Sequence, residues 1–116
     1  MNGLIQFSHE SGILIIEILL EKLDLFETPH VLADVEDALK HSPSEAVIID
    51  LKNVHTIDSS GIGFLLAIRN SLSKQKVTLN VVCNSDTVSH IFRLTKVNHL
   101  IPMYKTREEA MVSVEK

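Results

Sequence analysis

Five residues in the middle of the chain, Val47-Ile48-Ile49-Asp50-Leu51, constrain its fold more than any other stretch. The run is nearly continuous in apolar residues and short. A strand buried on both faces needs this pattern, as in a sheet covered by helices. The neighbouring segments supply such helices. Residues 4–7 and 13–20 are rich in strand formers, and Ser11-Gly12 between them predicts a hairpin turn. Thr28-Pro29 predicts a helix start, because Thr can cap the first free N–H groups and Pro suits the first helical position. Val31, Leu32, Val35, Ala38 and Leu39 then share one helical face, and Pro43 closes the element. Residues 60–74 predict a second helix, with Ile62, Leu65, Leu66, Ile68 and Leu72 apolar and Arg69, Asn70, Ser73 and Lys74 polar.

Residues 77–83 predict another strand, and 87–94 a helix capped by Ser85 or Asp86. Residues 100–103 predict a short last strand. Residues 106–114 predict a terminal helix with Glu108 and Glu109 near its positive end. The order is strand, strand, helix, strand, helix, strand, helix, strand, helix. That alternation predicts an α/β fold with a mixed, mostly parallel sheet, right-handed crossovers and helices packed on it. At 116 residues the expectation is one domain, 1–116, large enough for an ordinary hydrophobic core.

Composition excludes several functions. The net charge of −4 and the scattered Lys and Arg argue against a nucleic-acid surface, which needs a basic cluster. An acidic balance tolerates a basic protein partner without demonstrating one. Cys83 is the single cysteine, so no intramolecular disulfide can form. Within Val81-Val82-Cys83 it reads as a small buried hydrophobe, with a reactive thiol as the alternative. Met1-Asn2-Gly3 does not open a signal peptide, and apolar runs such as 13–16 are far too short to span a membrane. A cytoplasmic location is expected. The histidines and the cysteine show no metal-ligand spacing, and nothing in the chain calls for a cofactor. His90 and His99 read as solvated surface residues.

The junction His55-Thr56-Ile57-Asp58-Ser59-Ser60-Gly61-Ile62-Gly63 lies between a buried strand and a helix. A helix start offers unpaired N–H groups and the positive end of the dipole. Gly61 and Gly63 let another surface approach closely, and Ser59 and Ser60 place hydroxyls at the same spot. The plainer reading is structural: Asp58 or Ser59 caps the helix, and the glycines permit tight helix–sheet packing. Ile62 stands where the Glu of a capping box would be, so only a simple cap remains. A hydrolase nucleophile elbow, Gly-x-Ser-x-Gly, fails because Ile57 occupies the first Gly position. The Walker phosphate loop is absent. His55 could serve a serine as a base or be a plain loop histidine.

The stretch Val47-Ile48-Ile49-Asp50-Leu51 through Ile57-Asp58-Ser59-Ser60-Gly61-Ile62-Gly63 resembles the STAS domain of bacterial anti-sigma factor antagonists. It matches the signature strand–Asp-Ser-(Ser/Thr/Ala)-Gly-(Leu/Ile)-Gly–helix without a gap. Leu23-Asp24, and Ile91-Phe92-Arg93-Leu94-Thr95 followed by Leu100-Ile101, resemble flanking parts of the family. The resemblance implies an unphosphorylated antagonist that binds an ATP-binding anti-sigma factor serine kinase and frees the sigma factor. It implies phosphorylation by that kinase at the first serine after the aspartate, Ser59, and reversal by a protein phosphatase. The nucleotide would be the kinase's, so this chain would be a substrate and binding partner with no catalytic residue of its own. The partner-binding residues carried over are Asp24, Asp58, Ser59, Ser60, Gly61 and Gly63, with Asp24 expected near the serine.

The match departs from the family at one loop. Glu21 precedes Lys22-Leu23-Asp24 where the family commonly has Gly. Leu25, Phe26 and Glu27 replace small polar or Ala residues. Leu25 and Phe26 could be core residues or an exposed hydrophobic contact. Two rival functions stand beside the first. One is a STAS subunit of a transport or stress-signalling complex in which Ser59 is never phosphorylated; the other is a hydrolase.

Overall fold

The structure is a computed structural model that describes residues 3–114; Met1 and Asn2, read above as opening no leader, lie outside them. Strands β1 (Ile5–Glu10) and β2 (Ile13–Ile18) form the expected hairpin, with Glu10 opposite Ile13. Its two-residue turn needs positive φ at both positions, and Ser11 (53°) and Gly12 (80°) provide it. Strand β4 (Ala46–Asp50) lies parallel to β2 and to β6 (Thr78–Val82), and β7 (Met103–Tyr104) closes the far edge. The sheet order is β1-β2-β4-β6-β7, a mixed and mostly parallel sheet.

Side chains alternate across a strand, so each face of β4 has its own neighbours. Val47 and Ile49 join Leu14, Ile16, Leu79 and Val81 beneath α1 (Thr28–His41), α2 (Ser59–Ser73) and α3 (Asp86–Leu94). Ala46 and Ile48 join Ile13, Ile15 and Val82 beneath α4 (Arg107–Val114). Three helices thus cover one face and a single helix covers the other. This double cover is why the run 47–51 has no polar face. Cys83 is buried, as expected of a small hydrophobe, and His55, His90 and His99 are exposed.

One charged residue inside the buried run has a partner. Asp50 is 2% exposed on the α4 face. Its Oδ2 accepts from Arg107 Nε at 2.8 Å and its Oδ1 from the Lys52 amide at 2.9 Å. Arg107 Nη2 also donates to Glu17 Oε1 at 2.9 Å, and Asn53 Nδ2 donates to Glu17 Oε2 at 2.8 Å. The hydrogen bond to Asp50 leads the causes that raise the Arg107 guanidinium above its ordinary pKa. The start of α4 is therefore tied to the ends of β2 and β4. Thr106 precedes it, and its hydroxyl accepts from the Glu109 amide at 3.1 Å.

Two expectations need correction. Thr28 is not a cap: it is the buried first residue of α1, and Glu27 stands at the cap position without a side-chain capping bond. The Asp24 carboxylate instead takes the amides of Phe26 and Glu27, each at 3.1 Å. The last strand is not at 100–103. Residues Val97–His99 form a 3₁₀ turn, Ile101 is buried, and the sheet resumes only at Met103. Pro102 has no N–H to give a ladder, but its carbonyl accepts from the Val81 amide at 2.9 Å.

Candidate functional site

The site is built on a second, very small sheet. Strands β3 (Lys22–Leu23) and β5 (Thr56–Ile57) run parallel, with Leu23 beside Ile57. Each has two residues, too few to show periodicity, which is why the sequence did not reveal them. They fix the loop at 21–27 against the start of α2. The His55 amide donates to the Glu21 carbonyl at 2.8 Å, and the Asp58 amide to the Leu23 carbonyl at 3.3 Å.

Asp58 is the N-cap of α2. Its Oδ1 accepts from the amides of Ser60 at 2.8 Å and Gly61 at 3.2 Å. Its Oδ2 accepts from the Leu25 amide at 3.3 Å. One carboxylate therefore satisfies two free N–H groups of the helix start and joins that start to the loop after Asp24. Of the two capping options left open by the sequence, Asp58 is the one used.

Ser59 follows as the first helical residue. It is exposed, and its hydroxyl has no hydrogen-bond partner among the described residues. Ser60 is half-buried. The two glycines, grouped together in the sequence, have separate roles. A Cβ on Gly61 would stand 2.5 Å from the Leu23 carbonyl oxygen and 2.4 Å from Ile57 Cγ1, so the β3–β5 contact requires glycine there. A Cβ on Gly63 would meet nothing within 4 Å, and the residue is exposed. No packing among the described residues accounts for Gly63.

Asp24 lies in the loop bonded to Asp58, and its Oδ1 accepts from amides of its own loop. That loop holds Leu25 and Phe26 out into solvent, 64% and 81% exposed, so neither is a core residue. Asp24, Asp58, Ser59, Ser60, Gly61 and Gly63 are thus gathered on two segments that β3 and β5 hold side by side. Among the described residues no cluster suits a metal ion, and no helix is long and apolar enough to cross a membrane.

Comparison with known proteins gives a consistent result. Residues 5–110 match the family model of the STAS domain. Over 116 residues the chain is 28% identical to the anti-sigma F factor antagonist of Paenibacillus polymyxa, covering 99% of this chain and 97% of that protein. The crystal structure of an anti-sigma factor antagonist from Mycobacterium paratuberculosis superposes with a TM-score of 0.86 at 21% identity, covering 97% of this chain and 93% of that one. The anti-sigma factor antagonist SpoIIAA in its unphosphorylated form gives 0.77 at 20% identity, with 96% of each chain covered. SpoIIAA of Bacillus in its phosphorylated form gives 0.64 at 22% identity, covering 95% of this chain and 98% of that one. At such identities the solved structures speak for the fold.

Proposed function

Because this chain belongs to the STAS domain family, we propose that it is an anti-sigma factor antagonist and that Ser59 is its phosphorylation switch. The observation that carries the proposal is the exposed Ser59 hydroxyl, without a hydrogen-bond partner among the described residues, at the first position of a helix whose cap is already filled by Asp58. The relative from Paenibacillus polymyxa, an anti-sigma F factor antagonist by name, supports the role. That SpoIIAA exists in phosphorylated and unphosphorylated forms supports the switch.

In this reading the unmodified chain binds an anti-sigma factor serine kinase in the cytoplasm and so frees the sigma factor. The kinase supplies ATP and transfers its γ-phosphoryl group to Ser59 Oγ; ADP leaves, and the hydroxyl proton passes to a base of the kinase. A protein phosphatase restores the hydroxyl. This chain is the substrate and has no catalytic residue. Ser59 is favoured over Ser60 because Ser60 is half-buried.

The cap explains why a phosphate would change binding and leave the fold standing. Phosphorylation adds roughly −1.5 to −2 charges. The helix dipole favours that charge by about 0.3–1 kcal/mol at an exposed start. The amides of Ser60 and Gly61 are already bonded to Asp58, so the new anion competes for them with a carboxylate next to it. Its charge is left facing outward. A partner that covers this surface must then desolvate a dianion beside Asp58, and binding weakens. Gly63 fits the same account, since its bare, exposed backbone admits close approach of another protein.

The test is incubation with each purified anti-sigma factor serine kinase of the source organism and ATP, read by mass spectrometry. Phosphate on Ser59, absent in Ser59→Ala, is expected. Phosphate on Ser60, or none with any kinase, would overturn the assignment.

A further inference from the structure

We propose that Leu25 and Phe26 form an apolar anchor that the anti-sigma factor kinase grips while it modifies Ser59; this inference rests on the function proposed above. Adjoining exposed apolar side chains mark interaction surfaces in a way that single ones do not. Leu25 and Phe26 are consecutive and 64% and 81% exposed, and Phe26 is the most exposed large hydrophobic side chain among the described residues.

The pair is held in place. The Leu25 amide donates to Asp58 Oδ2 at 3.3 Å, and the amides of Phe26 and Glu27 both donate to Asp24 Oδ1 at 3.1 Å. The following residue, Thr28, donates its amide to the Asp24 carbonyl at 2.9 Å and opens α1. The two side chains therefore project from a backbone bonded at successive positions, which lowers the entropy lost when a partner orders them.

The kinase is the occupant the geometry favours. Asp58 holds the Leu25 amide with one carboxylate oxygen and the start of the Ser59 helix with the other. Anchor and acceptor are thus joined through one carboxylate, and a protein whose active site reaches Ser59 comes up against the adjacent loop. The partner should present an apolar pocket beside its nucleotide site. Aromatic side chains in such pockets supply much of an interface's binding energy.

The experiment compares wild type, Phe26→Ala and Leu25→Ala/Phe26→Ala as substrates of the kinase that phosphorylates Ser59. Exposed side chains can be truncated without unfolding the chain, and thermal unfolding of each variant checks this. An anchor used equally in ground and transition states affects KM and leaves kcat alone. The expected result is a KM for the double variant raised about tenfold or more, with kcat within about twofold of wild type. Unchanged KM would overturn the anchor while Ser59 phosphorylation of wild type still upheld the function. No phosphorylation of wild type by any kinase of the organism would instead overturn the function, and the anchor with it. Self-association of wild type in sedimentation, abolished in Phe26→Ala, would assign the pair to a second copy of the chain and overturn the kinase as occupant.

Discussion

At the scale of single residues, the site has one position with no room for a side chain, Gly61, and one open position, Gly63. A Cβ at position 61 would press on the Leu23 carbonyl oxygen, a backbone atom with little room to move. Gly61→Ala should therefore destabilise the chain by about 1–3 kcal/mol, seen as a lower urea midpoint. Position 63 is open, and glycine within a helix costs about 0.5–1 kcal/mol relative to alanine. Gly63→Ala should stabilise the chain by that amount, seen as a higher urea midpoint, and weaken kinase binding in titration calorimetry. A midpoint unchanged or lowered would mean that the helix does not respond as an exposed one. Asp58→Ala removes the cap of α2 and the acceptor for the Leu25 amide, and should cost about 1 kcal/mol or somewhat more. The sequence showed both glycines and both candidate caps. It could not separate the two glycines, because the backbone atom that makes Gly61 necessary, the Leu23 carbonyl oxygen, lies far away along the chain.

At the scale of elements, legibility followed length. The hairpin, the buried β4 and the long helices carry several periodic residues each, and their existence and order were readable. The strands β3 and β5 have two residues apiece and are set by tertiary pairing, so no pattern announced them. The displaced last strand has a related cause: Ile101 is buried ahead of the sheet, so its apolar character reads as strand. Asp50 offered a usable signal, since a carboxylate inside an apolar run must have a partner. Its partner Arg107 begins an element 57 residues away. Arg107→Leu should destabilise the fold by about 3 kcal/mol, because it strands a buried carboxylate. Replacing Asp50 by Asn in the same variant should recover part of that loss, measured by urea unfolding. If the double variant is no more stable than Arg107→Leu, the cost does not come from the stranded charge.

At the scale of the whole molecule, the fold holds one helix start and one loop side by side. The family and the order of elements were legible, because Asp58-Ser59-Ser60-Gly61-Ile62-Gly63 follows a buried strand. What the sequence lacked was the join between that motif and the loop at 21–27, made by β3, β5 and the two oxygens of Asp58. With the start of α2 already capped by Asp58, the proposed phosphate on Ser59 changes the surface and leaves the architecture standing. The phosphorylated chain should therefore unfold within about 1 kcal/mol of the unmodified one. The most direct measurement is the affinity of the anti-sigma factor kinase for the chain before and after phosphorylation, taken with the mapped phosphosite and the urea midpoint of each form. The account predicts phosphate on Ser59, a Kd raised about tenfold or more, the 1.4 kcal/mol of one decade, and a near-constant midpoint. Equal affinity for the two forms, or a phosphorylated chain that unfolds, would contradict it.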